Sequence, residues 1–206
     1  LQNTVEAKIA SESPSKGEAA YTINKSITLI GNGNTIEAVS GFAADSSNWG
    51  SGLIGLCHMF NITGGTVVME NLTIDGDWTV NEAEPNYNAA RSGINIWTGN
   101  SSENFSVTLT DVIVQNCSTY GITAGKGSGT STATVTVTAD GVDVDASNLY
   151  GINVDGNATV NMEGDDNKLE AAFVAENGGV AEIKGGSYSD VVVQGDDVAS
   201  KVTING

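Results

Sequence analysis

The chain is written largely in short runs that alternate apolar and polar residues. Ser106-Val107-Thr108-Leu109, Thr134-Val135-Thr136-Val137 and Thr159-Val160-Asn161-Met162 are three of them. An apolar residue at every second position is the pattern of a strand with one buried face. The runs also recur. Ser92-Gly93-Ile94-Asn95-Ile96, Tyr120-Gly121-Ile122-Thr123-Ala124 and Tyr150-Gly151-Ile152-Asn153-Val154 begin alike, and Gly93, Gly121 and Gly151 are almost evenly spaced. The second kind of strand returns as Val180-Ala181-Glu182-Ile183 and Lys201-Val202-Thr203-Ile204, now at a shorter and constant interval from Met162 to Ile183 to Ile204. A third kind recurs as Asn71-Leu72-Thr73-Ile74, Asp111-Val112-Ile113-Val114 and Gly141-Val142-Asp143-Val144.

A unit of this length carrying three such strands cannot bury its apolar face alone. Stacked on copies of itself, it closes a continuous core and pairs each strand with its equivalent in the next unit. The pattern therefore predicts an all-β fold, a right-handed single-stranded parallel β-helix (solenoid). Ile94, Ile96, Leu109, Ile122, Val137, Ile152, Val154 and Ile183 are expected inside. No amphipathic helix of ten or more residues separates the strands, which argues against a Rossmann or barrel reading. An antiparallel β-sandwich stays open as a second reading. It needs hairpin turns between successive strands, whereas like strands here recur once per unit.

The ends read differently. Leu1, Val5 and Ile9 are spaced by four, an apolar stripe of helical period. This predicts a short capping helix over residues 2–10, inside an N-terminal cap of residues 1–20, with rungs over 21–206 in one domain. At the other end Val202 and Ile204 are expected to point inward, with no cap after them. An uncovered solenoid end exposes core and unpaired backbone. The expectation is a fragment of a longer surface protein, or an end covered by further β-helix rungs or by another copy.

Leu1-Gln2 through Gly17, followed by Tyr21-Thr22-Ile23-Asn24-Lys25-Ser26-Ile27-Thr28-Leu29-Ile30-Gly31-Asn32-Gly33, resembles the N-terminal entry of the pectate-lyase-like β-helix superfamily. The later units resemble the repeats of bacterial surface adhesins and autotransporter passengers. The resemblance covers nearly the whole chain, but it is one of pattern and carries no specific motif. It implies the fold strongly and function weakly. It also implies an extracellular place, secreted or at the cell surface.

Composition narrows the partners. The formal charge is −17, with 25 acidic and 8 basic residues. Such a chain repels phosphate backbones and anionic membranes, so nucleic acid is excluded as a natural partner. No apolar run is long enough to span a bilayer. Aromatics are only 6%, so the core must be built from small and β-branched side chains; 26 glycines against 2 prolines point to many tight turns. Asn-x-Ser/Thr sequons, for example at Asn61 and Asn71, are common in a chain so rich in these residues and do not establish glycosylation. Cys57 and Cys117 occupy non-equivalent places in their units and are expected to be free, buried thiols.

The superfamily includes pectate lyases, polygalacturonases and phage tailspike glycosidases. The lyases hold calcium on carboxylates and use an Arg or Lys as base. Arg91, the sole arginine, falls in a predicted loop and has no acidic cluster beside it on a strand. Gly164-Asp165-Asp166 and Gly195-Asp196-Asp197 echo one fragment of the polygalacturonase set, but Gly-Asp-Asp is also an ordinary turn. His58, the sole histidine, reads as a packing or surface residue, having no second histidine to share a metal. The turns Asp75-Gly76-Asp77, Asp143-Val144-Asp145 and Asp155-Gly156-Asn157 lack the spacing of known calcium loops. No catalytic residue, metal ligand or cofactor is assigned, with calcium the one ion such turns would suit.

The aromatics carry more. Two long insertions, Gly41 to Ser51 with Trp49 and Asp77 to Ser92 with Trp78, Tyr87 and Arg91, precede the same strand of consecutive units. Stacking would bring them out on one edge, with Tyr120 and Tyr150 following in the next two units. Trp97 has outward parity just beyond Ile94 and Ile96. Flat rings beside polar groups suit sugar rings, and folding over the edge as a lid is the competing reading. Trp49, Trp78, Tyr87, Arg91 and Trp97 are thus the candidate binding residues. The expected partner is a glycan or another host or cell-surface ligand. Two functions follow: a non-enzymatic, adhesin-like module, or a carbohydrate-active enzyme (lyase or hydrolase), whole or truncated.

Overall fold

Strands that alternate in polarity must find neighbours of the same parity, and here each finds them one repeat away in sequence. The computed structural model describes residues 4–7, 18–39, 42, 57–77, 89–126, 129–145, 150–195 and 199–205. Among them there is no helix, and every strand pairing is parallel.

The strands form two sheets. The eleven-stranded sheet holds β1 (Thr4–Ala7), β3 (Ile27–Ala38), β5 (Thr66–Asp75), β7 (Phe105–Gln115), β9 (Val135–Asp140), β10 (Asp143–Asp145), β12 (Ala158–Glu163), β13 (Lys168–Leu169), β15 (Val180–Ile183), β16 (Ser187–Tyr188) and β18 (Lys201–Ile204). The seven-stranded sheet holds β2 (Ala19–Ile23), β4 (His58–Ile62), β6 (Ser92–Trp97), β8 (Tyr120–Gly125), β11 (Tyr150–Asp155), β14 (Ala172–Glu176) and β17 (Val191–Val193). The chain passes back and forth between the sheets, and within each sheet a strand lies beside the equivalent strand of the next repeat. This stacking is consistent with a parallel β-solenoid. It excludes an antiparallel sandwich for these strands: Val107 pairs in parallel register with Val137.

Register turns the alternation into columns. Phe60, Ile94, Ile122, Ile152 and Phe173 form one inward column of the seven-stranded sheet. Val67, Val107, Val137, Val160 and Ala181 form one of the other sheet. These residues are buried, as are all eight of the residues expected inside. Longer strands bend where a residue adopts positive φ: Asn71 (49°) in β5 and Asp111 (52°) in β7, with Gly141 (63°) following β9. Asn, Asp and Gly tolerate that left-handed geometry best.

The N-terminal expectation needs correction. Thr4–Ala7, inside the predicted capping helix of residues 2–10, is the strand β1. It pairs with β3 in the register Thr4 to Thr35, Val5 to Ile36, Glu6 to Glu37 and Ala7 to Ala38. A spacing of four satisfies a period of two as well as one of 3.6, so the stripe does not discriminate. The discriminating signal is the near-identity of Thr-Val-Glu-Ala with Thr-Ile-Glu-Ala, the repeat continuing to the first described residues. Leu1 and Ile9 lie outside the described residues. At the other end, Val202 packs against the core, but Ile204 is 65% exposed. It extends the column of Ile183 with no described strand beyond it to cover it.

Candidate functional site

The polar positions of the seven-stranded sheet form their own columns. His58, Ser92, Tyr120 and Tyr150 are in register at the start of the strands. Asn61, Asn95, Thr123 and Asn153 follow, and Trp97, Gly125, Asp155 and Glu176 lie at the far end. Asparagine is disfavoured in strands, so an Asn column must hold itself together by side-chain bonds. Asn95 Nδ2 donates to Asn61 Oδ1 at 2.9 Å, and Asn153 Nδ2 donates to Glu176 Oε1 at 2.8 Å.

Over this face lies a groove of about 1040 Å³, at the upper end of the range for small-molecule sites. The turns that follow β2, β4 and β6 form one wall. Beyond Trp97 the chain is pinned by Thr98 N donating to Gly125 O (2.9 Å) and by Ser101 Oγ donating to Thr63 O (2.8 Å). The groove is lined mainly by amides and hydroxyls, including Asn24, Asn61, Asn95, Asn100, Asn104 and Ser101. Trp97 is its indole, His58 its imidazole and Glu103 its carboxylate among the described lining residues. A smaller cavity of about 160 Å³ adjoins it; His58 and Trp97 line both, and Arg91, Tyr120, Asn153, Asp155 and Glu176 line the smaller one.

Gly125 keeps this face open. It stands in register with Trp97 at a φ of +141°, and a Cβ there would strike the backbone oxygen of Asp155. No side chain therefore rises between Trp97 and Asp155.

Of the five candidate binding residues, Arg91 and Trp97 are brought together on the smaller cavity. Trp97 faces outward as its parity predicted. The Arg91 guanidinium lies 5.3 Å from the Tyr120 ring centroid, and Tyr120 is 5.8 Å from Tyr150. Arg91 makes no ion pair among the described residues. Trp49, Trp78 and Tyr87 lie outside the described residues.

His58, expected from the sequence to be a packing or surface residue, is buried. It is 7% exposed, and its Nδ1 makes no hydrogen bond among the described residues. Burial first, and the Arg91 charge second, push its pKa down to about 3, so the ring is neutral at ordinary pH. Sequence reasoning also passed over the Asn column. Its signal was present as the polar centre of Phe60-Asn61-Ile62, Ile94-Asn95-Ile96 and Ile152-Asn153-Val154.

Several of the other sequence candidates make contacts within the protein. The Asp75 carboxylate accepts from the Asp77 backbone N–H, from Gln115 Nε2 (2.6 Å) and from Asn116 Nδ2 (3.0 Å), which occupies it within the protein. Asp155 accepts from Asn177 Nδ2 at 3.0 Å. Among the described residues no cluster of His, Cys, Asp and Glu has the makings of a metal site. Gly164 follows β12 at a φ of +72°, as a turn residue; residues 196–198 lie outside the described set. Cys57 and Cys117 are buried and not bridged by a disulfide, and desolvation pushes both thiols up to about 12. Both are unreactive thiols in that state. No described helix is long and apolar enough to cross a membrane.

No protein family, curated protein or solved structure matches the chain. The class it can be placed in is that of all-β proteins built from two stacked parallel sheets.

Proposed function

We propose that this chain is a right-handed parallel β-helix module of a secreted or cell-surface protein, adhesin-like in role, and that it binds a glycan without cleaving it. The observation that carries the reading is the groove in which Trp97 stands beside a fixed row of amides and hydroxyls. An indole face covers the apolar face of a pyranose, while amides and hydroxyls exchange hydrogen bonds with its hydroxyls. Strand register holds these groups rigidly, so little ordering is lost when a ligand binds. A stacking contact supplies on the order of 1 kcal/mol, which makes single-site affinity weak and suits an array that gains by multiplicity. Hydrolysis by two carboxylates takes a facing pair, whereas the described groove lining contributes Glu103.

The test is a broad glycan array with the wild type and Trp97→Ala, beside a reducing-end assay on the polysaccharides that bind. Binding by the wild type, at least tenfold weaker in Trp97→Ala, with no new reducing ends, is the expected result. An array on which the wild type binds nothing overturns the reading, and release of reducing ends makes the module an enzyme.

A further inference from the structure

The groove and the smaller cavity share His58 and Trp97 as lining, so they lie side by side on one face. His58 lines both, and its buried Nδ1 has no hydrogen-bond partner among the described residues. An unpaired buried imidazole is unfavourable, and a ligand hydroxyl that bonds to the ring would relieve that deficit. A neutral imidazole offers one N–H donor and one nitrogen acceptor. A sugar hydroxyl, which both donates and accepts, complements it in either tautomer.

The charges lining the two have a net sign. The groove carries Glu103. The smaller cavity sets the carboxylates of Asp155 and Glu176 against the one guanidinium of Arg91. Asparagine amides hold both carboxylates, Asn177 on Asp155 and Asn153 on Glu176. With His58 uncharged, each stretch sums to negative, within a chain of net charge −17. A polyanionic chain entering here meets like charge along its length, and like-charge juxtaposition is how a surface refuses wrong partners.

We propose that the groove and the adjoining cavity form one continuous track for an uncharged glycan chain, with His58 as its buried hydrogen-bond anchor and Trp97 as the platform beside it. The proposal rests on the glycan-binding reading above and adds the ligand class and the anchoring residue. Acidic glycans such as uronate or sulfated chains are refused.

The experiment is calorimetric titration at neutral pH with cellohexaose, mannohexaose and chitohexaose as uncharged probes. Hexagalacturonate and a heparin hexasaccharide are the acidic ones. Wild type and His58→Leu are compared, each checked for native circular dichroism, and the imidazole ¹⁵N resonances of His58 are followed in the wild type. At least one uncharged hexamer should bind, with each acidic hexamer at least tenfold weaker. His58→Leu should lose tenfold or more, and the His58 resonances should move on adding the bound hexamer. If His58→Leu does not fold, the wild-type resonances and the charge preference decide alone. Acidic hexamers binding as tightly as uncharged ones, or uncharged binding with the His58 resonances unmoved, overturn the proposal and leave the glycan reading standing. Failure of every hexamer of either charge to bind removes the glycan reading, and the proposal with it.

Discussion

The outward face of the eleven-stranded sheet runs through Thr66, Ser106, Thr136 and Thr159 in one column and Glu70, Thr110, Asp140 and Glu163 in another. These are short hydroxyls and charges open to water, with a Lys184–Glu163 pair at 2.8 Å on the surface. The outward face of the seven-stranded sheet is instead an amide column flanked by His58, Tyr120 and Trp97, much of it half-buried or buried. Beneath both faces the inward columns are alike, made of Val, Ile, Leu, Ala, Met and Phe. The repeat constrains what points in and leaves what points out free. The outward face that departs from the solvated pattern is therefore the one on which the proposed binding rests.

The largest effects should ignore the distinction. Ile94→Ala, beneath the amide face, and Leu109→Ala, beneath the threonine face, should each cost about 2–5 kcal/mol, because both remove fully buried methyls. Urea unfolding of the two variants checks this. A loss confined to one of them would mean that the two faces do not share one core.

An effect smaller at any pH near neutrality belongs to the seven-stranded side alone. The folded protein holds the His58 pKa at about 3, against an unperturbed 6.5. Lining the groove or the cavity with it are Arg91, Tyr120, Glu103, Asp155 and Glu176. The unfolded chain takes up the proton first, so this group's effect on stability is absent above pH 6.5. Below that, it subtracts about 1.4 kcal/mol per pH unit until the folded value is reached. Subtracting the stability–pH curve of His58→Leu from that of the wild type should isolate this slope. Coincident curves would show that the imidazole is not buried as described.

Next comes the amide column. Asn95→Ala removes a half-buried side-chain bond to Asn61 and should cost about 1 kcal/mol. Thr138→Ala, in the corresponding outward place on the other sheet, should be nearly silent in the same thermal melts. Least of all, Lys184→Ala should leave the melting temperature unchanged, since an exposed ion pair contributes little in water.

These contrasts also mark what could be read in the sequence. The inward columns were legible because a period of two over several repeats leaves few choices, and Ile94, Ile96, Ile122 and Ile152 are buried as expected. The first strand was not, because Leu1, Val5 and Ile9 fit helix and strand alike; only comparing Thr4–Ala7 with Thr35–Ala38 separates them. Trp97 was legible by parity. The Asn column was not, because asparagine is usually read as a turn residue and the bonded pair Asn61 and Asn95 belongs to two different repeats. His58 was opaque for a different reason. A lone histidine acquires meaning only from its surroundings, and Arg91, Tyr120 and Trp97 line the same cavity from other repeats.

All-parallel register has a mechanical consequence. Each strand is hydrogen-bonded to the equivalent strand of the next repeat, so tension applied at the chain ends meets the repeats one at a time. The stack should yield by peeling, one repeat per event, and not by a single concerted rupture. The stretch of chain from Ile94 to its partner Ile122 is longer than that from Ile152 to its partner Phe173. Fully extended chain spans roughly 3.3–3.6 Å per residue, so the events should release about 60–140 Å of contour length, depending on the repeat. In an optical trap the force–extension trace should be a sawtooth of graded step sizes, the shortest from the C-terminal repeats. A molecule anchored this way at a surface would lengthen under load in increments, keeping its remaining repeats, and the groove among them, intact.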